Sequence, residues 1–292
     1  MKRVVFFGEG AWEGVRTDTN VYKMFRALKS DPGQAGFYDG GEGAEATPPE
    51  APKAGSYGDR LFQKIRSGYA AIARLYVRGD DIFLFGAGRG AYTVRCIAGM
   101  IATCGLPTRA FDDGLVNTVF QAYRNPKKRI ALLVTLRKYA MFDARVRMLG
   151  VWETVGARGI PPFVGNVDPL TAGFFDTHLH PRVLNACQAF AIDERRRELL
   201  PTLWKSSPAA GQVLEQAFLA GVLHDVVRGY PAGVSDITLD WMMGKAESLG
   251  LTWTAQAPAR CSLDIEKALP VMHKPLKVFY FHPAARIFLR CS

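Results

Sequence analysis

The stretch Leu84–Arg95, "LFGAGRGAYTVR", sets glycines at 86, 88 and 90 between an apolar run and a run with helical spacing. The pattern predicts a buried strand, a sharp turn and a helix, and two kinds of site are built on that layout. In the first, Gly86, Gly88 and Ala91 satisfy G-x-G-x-x-G/A, whose backbone cradles a pyrophosphate at a helix N-terminus. That motif should lead into a second strand ending in an acid about 20 residues on. The chain there reads "GLPTRAFDDG", with Asp112 and Asp113 but no apolar strand before them. In the second, G-x-S-x-G forms a nucleophile elbow, whose bent backbone needs glycine on both flanks. Gly86 and Gly90 occupy those flanks, and Gly88 stands where the serine belongs.

Moving outward, "RVVFFG" (3–8) reads as a first strand, and "TNVYKMFRAL" (19–28) as a helix with Thr19 or Asn20 as its cap. Residues 30–58 are rich in Gly, Ala and Pro and read as a long internal surface loop whose one strand-like core is "GFYD". Helical spacing returns over 59–77, and "DDIFLFG" (80–86) is a short apolar run suited to a parallel strand. The helix after Gly90 should stop near Gly105, and a basic helical region covers about 115–142. "ARVRMLGVWE" (144–153) and "QAFLAGVLHDV" (216–226) read as two more strands. A helix follows from Ser235 or Asp236, with Ile237, Trp241 and Leu249 in register. Strands alternating with helices predict one α/β domain over residues 1–292, a mostly parallel sheet with helices on both faces. Ligands in such sheets sit beyond the carboxyl ends of the strands. Gly8–Glu9–Gly10, Gly86–Gly90, Glu153–Thr154 and His224–Asp225 should therefore converge on one crevice.

Composition narrows the function classes. With 48% hydrophobic residues in 292, the chain can bury a full core. No apolar run approaches the roughly 18–20 residues of a spanning helix. "MKRVVFFGEGAW" reaches Gly8 and Glu9 too early for a signal peptide, so a cytoplasmic location is expected. The cysteines (96, 104, 187, 261 and 291) lack disulfide or zinc spacing and read as small buried hydrophobes of a reducing compartment. A net charge of +10 favours anionic partners, including peripheral contact with an anionic membrane. The basic clusters "RNPKKR" (124–129) and "DERRREL" (193–199) carry no interleaved aromatics and no nucleic-acid motif, and read as solvated faces.

Four ordered segments, "EGAWEG…TNVYKMFRAL", "GAGRGAYTVR", "WETVGARGIP" and "GVLHDVVRGYP", carry a resemblance. They resemble the "DGTWN…TNVxxL", "GFSRGAYTAR", "WDTVG" and "GxHSDVGGGYP" of the type VI secretion phospholipase effector-like family of α/β hydrolases. "FYDGGEG" and "AFAIDERRRELLPTLW" echo further family segments, and the similarity spans about residues 3–250. The resemblance implies an α/β-hydrolase-like fold, a lipid or ester substrate class and secretion by a non-classical route. It also implies a triad whose nucleophile falls at Gly88, acid at Glu153 and imidazole at Leu223, with the family's first-strand aspartate at Glu9 and its glycine run at Val227–Arg228.

Glutamate can serve as a triad acid, but Gly88 has nothing to attack with and Leu223 cannot accept a proton. The expectation is a pseudo-lipase that retains a crevice for a small-molecule, lipid-like or protein partner. Glu9, Gly10, Gly86, Gly88, Arg89, Gly90, Thr154, His224 and Asp225 are the candidate lining residues, with no cofactor and no metal. Alternatives are hydrolysis through a displaced constellation, with His224 as base and Glu153 or Asp225 as acid; a nucleotide-binding oxidoreductase; and an accessory or immunity-like module. A metal on Glu9, Glu153, His224 and Asp225 is chemically feasible, yet the ligands lack local spacing. The bland roles are Glu153 paired with Arg89 or Arg158, Asp225 ordering the turn after it, and Arg89 and Arg95 in salt bridges. Trp12, Trp152 and Trp204 read as core or pocket wall, and Tyr92 and Thr93 as packed.

Overall fold

Val4–Phe7 and Ile82–Phe85 are apolar on both sides of an extended chain, so each needs cover above and below. In the computed structural model β1 (Arg3–Gly8) and β3 (Asp81–Ala87) pair in parallel, with Gly8 opposite Gly86. The described residues are 1–10, 19–40, 56–107, 112–155, 178–196, 199–205, 207–228 and 234–255. β2 (Gln34–Asp39), β6 (Val146–Trp152), β7 (Asn185–Ala191) and β8 (Val213–Leu219) complete a six-stranded sheet ordered β2-β1-β3-β6-β7-β8. Every pairing in it is parallel.

Two cores cover the sheet. Val4, Phe6, Ile82, Leu84, Leu149 and Val151 pack against α2 (Ser56–Leu75), α3 (Arg89–Cys104) and α4 (Asp113–Arg124). Val5, Phe7, Phe83, Phe85, Met148 and Trp152 face α1 (Asn20–Ala27) and α7 (Val234–Ser248). α5 (Pro126–Leu136) follows α4, and β4 (Leu106–Pro107) pairs with β5 (Ala140–Met141) in a small antiparallel ribbon. A short α6 (Leu223–Val227) precedes α7. Thr19 caps α1, its hydroxyl accepting from the Tyr22 amide. The buried Asn20 amide donates to Val226 O, Ser235 O at 2.8 Å and Thr238 Oγ1 at 2.9 Å, tying α1 to α6 and α7.

Several sequence expectations are corrected. The 30–58 segment is not all loop: Gln34–Asp39 is the edge strand β2, and α2 already begins at Ser56. The strand expected over 216–226 runs instead from Val213 to Leu219, and Leu223–Val227 is helical. β7 had no alternating signal because it is central and buried, reading "NACQAFA". The basic region is two helices, since Asn125 caps α5 and Pro126 takes its first position. α7 starts at Val234, so Ser235 and Asp236 lie in its first turn rather than before it. No described helix is long and apolar enough to cross a membrane.

Candidate functional site

The chain order reverses between β1 and β3: β2 lies to one side of β1, and the later strands extend from β3 to the other. Such a switch point leaves a crevice beyond the strand ends. The Gly8–Gly10 and Gly86–Gly90 turns stand there, interlocked. A Cβ on Gly90 would overlap the Gly8 carbonyl, and one on Gly86 would lie 2.5 Å from Gly90 O. Glycine at both positions is therefore a packing requirement. A Cβ on Gly10 would sit 3.3 Å from Ala87 O and 4.0 Å from the Arg89 nitrogen, so Gly10 borders the turn as well.

Gly88 is held differently. Its φ and ψ are 56° and −116°, a conformation that L side chains rarely adopt, yet a Cβ built there meets nothing within 4 Å among the described residues. Its amide donates to Trp152 O at 2.9 Å, and its carbonyl accepts from Val155 at 3.2 Å and Tyr92 at 3.3 Å. The turn between β3 and α3 is thus sharply bent, and among the described residues nothing fills the space that a Cβ at position 88 would enter. α3 starts at Arg89, so its N-terminal dipole lies at the turn. Tyr92 and Thr93 are buried, as expected, and the Thr93 hydroxyl donates to Arg89 O.

Glu153 follows β6 directly and takes φ +46°, the one described non-glycine residue with positive φ. Such a backbone costs about 1–3 kcal/mol and persists only where surroundings hold it. Here Glu153 N–H donates to Ala189 O at 3.0 Å, and its Oε1 accepts from the Ala191 amide. Its Oε2 is buried with no hydrogen-bond partner. Burial pushes the Glu153 carboxyl up to about 8; Glu194 adds to the rise, while the Ala191 hydrogen bond and Arg196 oppose it. Its expected pairing with Arg89 is replaced by this contact to β7, and Arg158 lies outside the described residues.

Leu223 opens α6 and is partly buried against the α1–α7 core. Its amide donates to Glu194 Oε2 at 3.3 Å. Glu194 thereby stands between the acid and imidazole positions of the implied triad. Burial raises the Glu194 carboxyl, but hydrogen bonds from Arg196 and Leu223 outweigh it and hold it below its usual range. The "DERRREL" segment is thus not simply a solvated face. Glu194 is 5% exposed, and Asp193 Oδ2 accepts from Gly221 N at 2.9 Å. No sequence signal separated these inward acids from the exposed Arg195 beside them.

His224 lies on α6, so the step from Leu223 is a helical turn of about 100° rather than the flip to the opposite face expected on a strand. Asp225 Oδ2 accepts from Val222 N at 2.9 Å, ordering the turn before it, while residues 229–233 of the turn expected after it lie outside the described residues. Glu9 is buried and saturated: its carboxylate accepts from Thr19 Oγ1 at 2.6 Å, Gly10 N at 3.1 Å and Tyr38 OH at 3.4 Å. Burial raises the Glu9 carboxyl, against lowering by these donors and by Arg228. Arg228 reaches the site through a bridge between its backbone and that of Thr19.

Thr154 is buried with an unpartnered hydroxyl, and its carbonyl accepts from Thr202 N at 2.8 Å. Arg95 donates to Thr202 O at 2.7 Å and lies over the Trp204 ring, a packed role beyond the expected salt bridge. Trp152 and Trp204 are core; Trp12 lies outside the described residues. Among the described residues no group of three His, Cys, Asp or Glu could hold a metal ion. Cys96, Cys104 and Cys187 are buried and form no disulfide, and burial pushes the thiols of the latter two up to about 12. Asp112, the acid that a dinucleotide site would need, instead caps α4 by accepting from Leu115 N at 2.8 Å.

These positions frame the comparisons with known proteins. A crystal structure of an uncharacterized protein from Pseudomonas aeruginosa aligns with a TM-score of 0.52 at 14% identity. The alignment covers 87% of this chain and 46% of that one, so this chain spans less than half of its relative's length. At that identity the likeness speaks for the fold alone. The search of curated protein sequences returned no match. The model of the type VI secretion phospholipase effector Tle1-like catalytic domain matches residues 2–245, across the elbow, Glu153 and α6 alike, and the chain belongs to that family.

Proposed function

We propose that this protein is a catalytically inactive member of its lipase-like family, which keeps the crevice at the elbow for binding a ligand or a protein partner. The observation that carries this reading is Gly88: the elbow backbone is retained at φ 56°, while the position that should project a nucleophile carries no side chain. Two neighbours support it. Leu223 offers no base, and the Glu153 carboxyl is engaged by Ala191. With its carboxyl pushed up to about 8, Glu153 is largely uncharged at neutral pH and does not repel an anion. The α3 N-terminus then favours a neutral polar or anionic group above Gly88. A lipid-like molecule with such a head is the ligand class that fits. Family membership makes export through a type VI apparatus the corresponding route.

The test is hydrolysis of phospholipid and p-nitrophenyl esters by the purified chain and by Glu153→Ala. Both should stay at the uncatalysed rate. Turnover that the substitution abolishes would overturn the reading in favour of a displaced constellation using His224.

A further inference from the structure

α5 is apolar on both sides, which is normal for a helix buried all round, but it is not buried all round. Leu132 and Leu133 pack toward the core and Leu136 is fully buried. On the opposite side Ile130 is 78% exposed and Val134 64% exposed, the highest values of any large apolar side chain among the described residues except Met1. At 100° per residue Lys127, Ile130, Ala131 and Val134 fall on one stripe, and Arg137 and Lys138 continue it past the helix end. All six are exposed.

The charge around the stripe has one sign. Residues 114–142 contain six Lys or Arg and no Asp or Glu. Two of these cations are bound to the protein itself: Arg124 lies over the Phe62 ring, and Arg129 donates to Ala122 O and Tyr123 O. Lys127, Arg137 and Lys138 form no ion pair among the described residues and share the stripe with the two apolar side chains.

We propose that this face of the α4–α5 hairpin docks on an anionic lipid bilayer, with Ile130 and Val134 entering the interface and Lys127, Arg137 and Lys138 meeting lipid phosphates. An apolar stripe bordered by lysine and arginine is the arrangement that an interfacial helix uses. A second copy of the chain fits worse, because face-to-face pairing would set the same cations against each other. Nucleic acid would leave Ile130 and Val134 unpartnered.

The experiment is co-sedimentation of the whole chain with vesicles of phosphatidylcholine alone or of phosphatidylcholine mixed with phosphatidylglycerol. Binding is expected only to the anionic vesicles and should weaken as salt rises. Ile130→Asp/Val134→Asp and, separately, Lys127→Glu/Lys138→Glu should each lower partitioning by roughly tenfold or more, since each surface cation is worth about fivefold. All four side chains are exposed, so far-UV circular dichroism should not change. Wild-type binding equal on both vesicle types, or variants that bind like wild type, overturns the proposal. So does a concentration-dependent dimer that Ile130→Asp/Val134→Asp dissolves, which would make the stripe a contact between copies. None of these outcomes depends on whether the elbow hydrolyses anything.

Discussion

A serine at position 88 would meet no steric obstacle among the described residues but would inherit a backbone at φ 56°. Glycine adopts that region without penalty, whereas a side-chain-bearing residue is strained there by about 1–3 kcal/mol. Gly88→Ser should therefore fold and lower stability by about 1–2 kcal/mol in chemical denaturation. Ester turnover should stay at background, because a hydroxyl without a base remains a weak nucleophile. Gly88→Ser/Leu223→His supplies the side chains that the family resemblance implies at those two positions, and turnover by that pair beyond the single variant would measure whether the scaffold is hydrolase-competent. Glu153 shows the opposite arrangement, a side-chain-bearing residue held at φ +46° by its contacts with β7.

At the scale of elements, the contact between the β1 turn and the β3–α3 turn is backbone against backbone. Gly90→Ala would drive a methyl into the Gly8 carbonyl, and no flexible side chain is present to give way. The expected loss is several kcal/mol, read as a large drop in melting temperature or failure to accumulate folded protein. That turn was legible in the sequence because its glycines answer a local need. So were β1, β3 and α1, where apolar runs or helical spacing end in cap or turn residues. β2 and β7 were less legible for opposite reasons. β2 sits at the sheet edge inside a Gly- and Ala-rich stretch, and β7 is so buried that its small residues do not alternate. Part of what holds Glu9 and Glu194 comes from 29 residues away, Tyr38 for one and Leu223 for the other. No local pattern encodes such pairings.

For the whole molecule, Glu153 ties stability to pH. Its folded carboxyl titrates at about 8 instead of 4.5, so between those values the native state holds a proton that the unfolded chain has released. Stability is then highest below about 4.5 with respect to this group and falls as pH rises toward 8. Glu153→Gln removes the titration and keeps an oxygen acceptor for Ala191 N–H. The variant should gain on wild type as pH increases across that window, by on the order of a few kcal/mol at its upper end. Parallel urea melts at several pH values check this, because the Glu194 contribution, of opposite sign, is common to both proteins. A difference independent of pH would mean that Glu153 is charged throughout.

The Asn20 amide gives the fold an order in time. Its three acceptors lie on Val226, Ser235 and Thr238, more than two hundred residues downstream. A nascent chain leaving the ribosome can pair β1 with β2 and β3 early. It cannot satisfy the polar end of α1 until nearly all of the family domain has been made. Until then Asn20 stays wet and the apolar side of α1 has no α7 to cover it. The closing of α1 onto its full set of neighbours thus waits on α7.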